Sequence, residues 1–126
     1  MIGKIYRSII NFYDLRSNTT QKKSRPVLIL SDSRNNDYTI LPISTVTKKE
    51  NLDLEYDIEL NPTLFSKLKL NRISYVRTHK RMVVHTASLD LTESLGDLKT
   101  DYPDIYLDII EKMTKYNAVI EEEALS

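Results

Sequence analysis

Gln21-Lys22-Lys23-Ser24-Arg25-Pro26-Val27-Leu28-Ile29-Leu30-Ser31 passes from a basic, polar segment into an unbroken apolar run, and Tyr38-Thr39-Ile40-Leu41-Pro42-Ile43-Ser44 follows it closely. The run Pro26–Leu30, flanked by polar residues, has the pattern of a strand buried on both faces. Ser31–Asp37 is a turn by composition, so Tyr38–Ser44 is the return strand. Pro42 donates no ladder hydrogen bond and should face an edge or lie near a strand end. If the turn centres near Arg34-Asn35, residues whose numbers sum to about 69 face each other. Arg25 and Ser44 then stand opposite at the open end of the hairpin, within a residue or two, with Cβ atoms roughly 5 Å apart.

Strands continue on both sides of this hairpin. Lys4–Ile10 opens with β-branched alternation, and Asn11–Ser24 reads as a long polar loop. Thr47–Asp53 is a charged loop, and Tyr56-Asp57-Ile58-Glu59-Leu60 alternates as a half-exposed strand does. Asn61-Pro62 has the form of a helix start, which predicts a short helix to about Lys67. Arg72–Arg77 and Met82–Thr86 are two further strands around Thr78-His79-Lys80. Tyr102-Pro103 begins a helix whose stripe is Tyr106, Ile109, Ile110, Met113, Tyr116 and Ile120, with fraying expected at Glu121–Glu123. A weaker helical turn is expected within Thr92–Leu98. The chain is therefore expected to be one α+β domain over residues 1–126, mainly β, with a barrel over about 1–90 and a helical tail over about 91–122. Five to seven short antiparallel strands close most naturally as a small, strongly bent barrel.

Composition narrows the chemistry. There is no cysteine, which removes disulfides, thiolate metal sites and cysteine nucleophiles. The two histidines, His79 and His85, are not at helical metal-ligand spacing, so no metal site is expected. Two glycines are too few for a glycine-rich phosphate cradle, and no cofactor motif occurs. No apolar run reaches the ~18 residues of a membrane span, and the N-terminus lacks a signal peptide's pattern, so a cytoplasmic protein without membrane contact is expected. The net charge of zero conceals a division: residues 1–90 carry 15 Lys and Arg against 9 Asp and Glu, and residues 91–126 carry 3 against 9. A basic body with an acidic tail suits a polyanionic partner, although two evenly solvated surfaces would give the same numbers.

The residues Gln21–Ser31 with Ile40–Ser44 resemble the MazF/PemK-like toxins, which carry a Gln-Gly-Gly-x-Arg-Pro-Val-Leu-Ile-like stretch and, about twenty residues on, a Val-Pro-Ile-Thr-like strand end. Gly3-Lys4-Ile5-Tyr6 is similar to that family's opening, and Leu95-Gly96-Asp97-Leu98 with its helix is similar to the family's close. The resemblance implies a small SH3-like barrel of the MazF/CcdB type, a homodimer, and the toxin half of a type II toxin–antitoxin pair. It implies metal-independent cleavage of single-stranded RNA to a 2′,3′-cyclic phosphate or 3′-phosphate and a 5′-hydroxyl, blocked by a cognate antitoxin. By position, Arg25 matches the family's catalytic arginine, Ser44 its catalytic threonine and Gln21 the glutamine of its active-site loop. Lys22-Lys23 replaces the family's glycine pair, so cleavage specificity does not carry over.

That chemistry needs no metal, because RNA supplies its own 2′-hydroxyl nucleophile. The enzyme must orient it, stabilise the phosphorane and move protons. An arginine's planar fork fits a phosphorane, and a hydroxyl adds a short hydrogen bond. Taken alone, the pair reads more simply as Arg25 ending a strand in solvent and Ser44 starting a loop. His79 is a candidate general acid or base by its intrinsic pKa, or else a phosphate contact or a solvated turn residue. His85, among Val83, Val84 and Thr86, reads as a packed structural histidine. Lys22, Lys23, Arg77, Lys80 and Arg81 are candidate RNA-phosphate contacts together with Gln21, and Lys48 and Lys49 join them. Tyr6, Phe12, Tyr13 and Tyr75 are candidates to stack splayed bases. The rival reading is a non-catalytic barrel that binds RNA or inhibits a protein such as gyrase, which would have no need of the Arg25/Ser44 pair. A third is an assembly protein whose acidic helix docks on a basic partner.

Overall fold

Val27, Leu28 and Ile29 are fully buried because both faces of their strand are covered. The computed structural model describes residues Met1–Ser126. Its strands are β1 (Lys4–Asp14), β2 (Thr19–Ile29), β3 (Asp37–Ser44), β4 (Asp57–Leu60), β5 (Ser74–Arg77), β6 (Met82–His85), β7 (Leu89–Asp90) and β8 (Gly96–Asp97). The helices are α1 (Leu98–Asp101) and α2 (Pro103–Leu125). The eight strands form one antiparallel sheet whose path runs β4-β5-β3-β2-β1-β7, with β6 on β3 and β8 on β1. The path is open, ending at β4 and β7, and the fold is the α+β arrangement expected from the sequence.

Side chains alternate between two cores. Ile5, Leu28, Leu41, Ile43, Ile58, Val76, Leu98, Tyr106 and Ile109 share the one that the helices cover. Tyr6, Ile10, Val27, Ile29, Tyr38, Ile40 and Val84 share the other. At roughly 25 cal/mol per Å² of apolar surface, these two clusters are the main source of stability.

The central register sums to 69, as Val27↔Pro42, Leu28↔Leu41 and Ile29↔Ile40. The tight turn itself sits one residue later, at Asn35-Asn36, whose φ values of 53° and 65° are the type I′ pair that suits a hairpin. Arg34 and Asp37 exchange backbone hydrogen bonds of 2.9 and 3.0 Å around it. A local irregularity over Leu30–Ser33 absorbs the difference. Pro42 is interior to β3, and opposite it, on the edge away from β2, the chain loops out between β5 and β6. No ladder bond is therefore asked of Pro42 on that side.

Asn11–Ser24 is not the expected loop: β1 and β2 pair along the whole segment, from Asn11↔Lys22 to Asp14↔Thr19. The arms are polar because both faces meet solvent there, and composition alone hides that they pair with each other. Asn18, at φ 57°, closes the tip. The short helix expected after Pro62 is absent. Asn61 accepts from the amides of Leu64 and Phe65, at 3.0 and 2.9 Å, and its side chain caps Thr63, but the turn does not propagate. Thr92–Leu98 supplies β8 and the start of α1 rather than a helical turn. α2 stays helical through Glu121–Glu123 to Leu125. His85 is exposed, not packed, and its Nδ1 accepts from Ala87 N at 2.9 Å.

Candidate functional site

Below the Val27↔Pro42 rung, β2 and β3 separate. Arg25 stays with β1, opposite Ser8, while Ser44 stays with β5, opposite Tyr75. Alternation puts Arg25, Ser44 and Arg77 on the same side of the bent sheet. The gap between the diverging strands is a cavity of about 400 Å³. Arg25, Ser44, Arg77 and Lys80 all line it, with Phe12, Thr45, Thr47 and Asn51 among the remaining walls.

No carboxylate lines this cavity, although the chain as a whole has as many acidic as basic residues. Three cations and three hydroxyls converge there, and the one counter-charge, Asp57 on Arg77, lies behind the wall rather than in it, which suits an anion. Arg25 is held over the ring of Phe12, with its Cζ 5.5 Å from the centroid, a cation–π contact that leaves the guanidinium edge free. Arg77 donates from Nε to Asp57 Oδ1 at 2.6 Å and from Nη2 to the Asn51 carbonyl at 3.3 Å. Lys80 is exposed along its length, but partial desolvation of its ammonium lowers its pKa and the guanidinium of Arg77 lowers it further; Asp57 opposes the shift, and Arg25 adds to it. Its ammonium therefore gives up a proton more readily than an ordinary lysine.

The other expected residues fall elsewhere. Lys23 shares a second cavity, of about 210 Å³, with Arg7, Arg25, Lys69 and Arg72. That cavity also has no carboxylate in its walls, and Arg25 stands between the two. Gln21 and Lys22 are exposed on the β1–β2 arm, where Gln21 Nε2 donates to Thr19 Oγ1 at 2.8 Å. His79 and Arg81 line a third cavity, beside Tyr116, Asn117, Ile120 and Glu121 of α2. Sequence reasoning misses Asp57, the partner of Arg77. Its alternation marks a strand position, but its pairing with Arg77 depends on the β4–β5 register, twenty residues apart in the chain.

A family model described as PemK-like, MazF-like toxin of type II toxin–antitoxin system matches residues 4–112. No sequence among the curated proteins matches the chain.

Proposed function

The chain belongs to the PemK-like, MazF-like toxins of type II toxin–antitoxin systems, and from that premise we propose that it is a metal-independent endoribonuclease acting on single-stranded RNA. The observation that carries this reading is the carboxylate-free cavity into which Arg25, Arg77, Lys80 and the Ser44 hydroxyl converge. A phosphodiester matches it in charge and in hydrogen-bonding capacity.

In the reaction, the ribose 2′-oxygen attacks the adjacent phosphorus and loses its proton to water. The bond from phosphorus to the 5′-oxygen breaks. Arg25 presents its fork to the non-bridging oxygens as negative charge builds, and Ser44 donates a hydrogen bond to one of them. Arg77, its charge partly offset by Asp57, adds a second fixed guanidinium. Lys80, with its acidified ammonium, donates the proton that the departing 5′-oxygen needs. The products are a 2′,3′-cyclic phosphate and a 5′-hydroxyl. Phe12 offers a ring face at the rim for a splayed base.

Membership of a type II family implies a cognate antitoxin. A cytoplasmic homodimer, silenced by that antitoxin, completes the reading. No helix is long and apolar enough to cross a membrane.

The test is cleavage of a long single-stranded RNA in EDTA by wild type and by Arg25→Ala. Discrete fragments with 5′-hydroxyl ends from wild type alone are expected. Absence of cleavage by folded, antitoxin-free wild type overturns the enzyme and leaves a barrel that binds RNA or inhibits a protein.

A further inference from the structure

Arg77 can serve the cavity only while its guanidinium is held, and the hold is Asp57. Their contact is 2.6 Å, with the two side chains only 11% and 2% exposed. So desolvated a pair is rigid, and removing either partner strands a buried charge. The same Asp57 Oδ1 also faces Nδ1 of His79 at 3.7 Å. On the other side of the ring, Nε2 faces Asp53 Oδ2 at 3.9 Å. Neither nitrogen is within bonding distance of its carboxylate, and Nδ1 is buried without any hydrogen-bond partner.

Two tyrosines hold the imidazole there. Tyr56 and Tyr116 each lie with their ring centroids 6.0 Å from that of His79, and they meet each other edge-on at 5.0 Å. Tyr116 belongs to the part of α2 that continues past the residues shared with the family. The cover over His79 thus comes from Tyr56 within the family-matched residues and from Tyr116 beyond them.

We propose that His79 is a positioning residue that acts as a pH-dependent latch on Arg77: the neutral ring leaves Asp57 to grip Arg77, and the protonated ring draws Asp57 away and loosens Arg77 from the cavity. The proposal rests on the ribonuclease reading for its effect on rate, but not for the contact itself. The groups that face the ring are Asp53 and Asp57 before and on β4, Arg77 and Lys80 on and after β5, the two tyrosines, and Arg81 and Glu121 across the third cavity. Burial disfavours the imidazolium and outweighs the pull of Asp57 and Asp53, and Arg77 and Lys80 push the same way as burial. His79 is therefore neutral at neutral pH and gains its proton only in acid. Once protonated, both nitrogens are donors, each aimed at a carboxylate. Closing the 3.7 Å gap to Asp57 requires the oxygen that now binds Arg77 Nε.

Two readouts test the latch over about pH 5 to 8. One is kcat for RNA cleavage by wild type, His79→Gln and Tyr116→Ala. The other is the proton resonance of Arg77 Nε–H, which needs no substrate. In wild type, kcat falls by up to about tenfold for each pH unit below the His79 titration, and the Arg77 resonance shifts with the same midpoint. His79→Gln removes both pH dependences. Tyr116→Ala admits water to the ring and moves both midpoints to higher pH. An Arg77 resonance that stays flat while His79 titrates overturns the latch, as does an acid limb that persists unchanged in His79→Gln. If wild type cleaves no RNA at any pH, the ribonuclease reading fails, and the Arg77 resonance alone still decides the latch.

Discussion

Val27 lies directly opposite Pro42, and theirs is the last rung that joins β2 to β3. Beyond it β2 is held only by β1 and β3 only by β5. The divergence leaves an opening at the one place where an arginine and a serine would otherwise have been cross-strand neighbours. Proline suits that place because it has no N–H to leave unpaired on the edge where β5 gives way to β6. The cavity is thus a product of strand register, and Arg25 is presented to it from a strand rather than from a loop, which restricts its freedom.

Arg25→Lys tests whether the fork matters beyond the charge. Lysine keeps the positive charge but cannot give two parallel hydrogen bonds to a phosphorane, and it loses the flat face that rests on Phe12. The expected result is a fall in kcat of about 10²–10³, the usual cost of removing an oxyanion donor. KM should change far less. Single-turnover cleavage of a short RNA measures both.

The second basic cavity should bind backbone without taking part in chemistry. Lys23→Ala and Arg72→Ala are each expected to raise KM and leave kcat near wild type. The dependence of log KM on log salt should become shallower by about 0.7 for each single-strand phosphate that the variant no longer neutralises. Lys69 is a poorer probe, because its Nζ is already engaged by Glu93 at 2.9 Å. Cleavage rates across a salt series supply the slope.

The sequence carried the central hairpin well because Val27–Ile29 and Ile40–Leu41 are apolar for one reason only, burial on both faces. Runs that are apolar on both faces do not fix a register, so the pairing was legible only to within a residue or two. The β1–β2 arm escaped, because strands with two solvated faces look like loops in composition, and only their mutual pairing distinguishes them. Pro62 looked like a helix start because Asn61 does cap a turn, but the residues after it bury too little to extend one. Arg25 and Ser44 were singled out as cross-strand neighbours and by the family resemblance; the structure brings them to one cavity, but on strands that have parted. That Lys80 shares their cavity while the adjacent His79 faces the opposite way depends on how the tight turn after β5 is wound. Residues so close in a turn have no fixed alternation to read.

Gly3 supplies a stability test away from the site. It holds φ at 88°, and a Cβ there would run into Lys99. Its N–H donates to the Ile29 carbonyl at 2.8 Å, and its own carbonyl accepts from Leu98 N at 2.9 Å. The residue thereby ties the chain start to both the central strand and α1. Gly3→Ala should cost about 1–3 kcal/mol from backbone strain and displacement of α1. Thermal unfolding should show a Tm lower by several degrees.

Lys80 sets function against stability. The folded protein holds its proton more weakly than the unfolded chain, because partial desolvation and the two guanidiniums disfavour the charge. Its folded pKa is thus below its unfolded one. The charged side chain therefore destabilises the fold at every pH below the folded value, and the penalty is relieved as pH rises from there towards the ordinary lysine range. Lys80→Met removes the charge and keeps much of the apolar stem, so its Tm should exceed wild type at neutral pH, and the difference should shrink as the solution is made alkaline. The same substitution should lower kcat by about 10²–10⁴, the usual contribution of a proton donor. Wild type should also lose activity in alkali at a lower pH than an ordinary lysine would dictate, and a substrate whose 5′-oxygen is replaced by a sulfur leaving group, which needs no proton, should restore the rate of Lys80→Met. A variant that is more stable but fully active on ordinary RNA would remove Lys80 from the proton transfer and leave it as a phosphate contact.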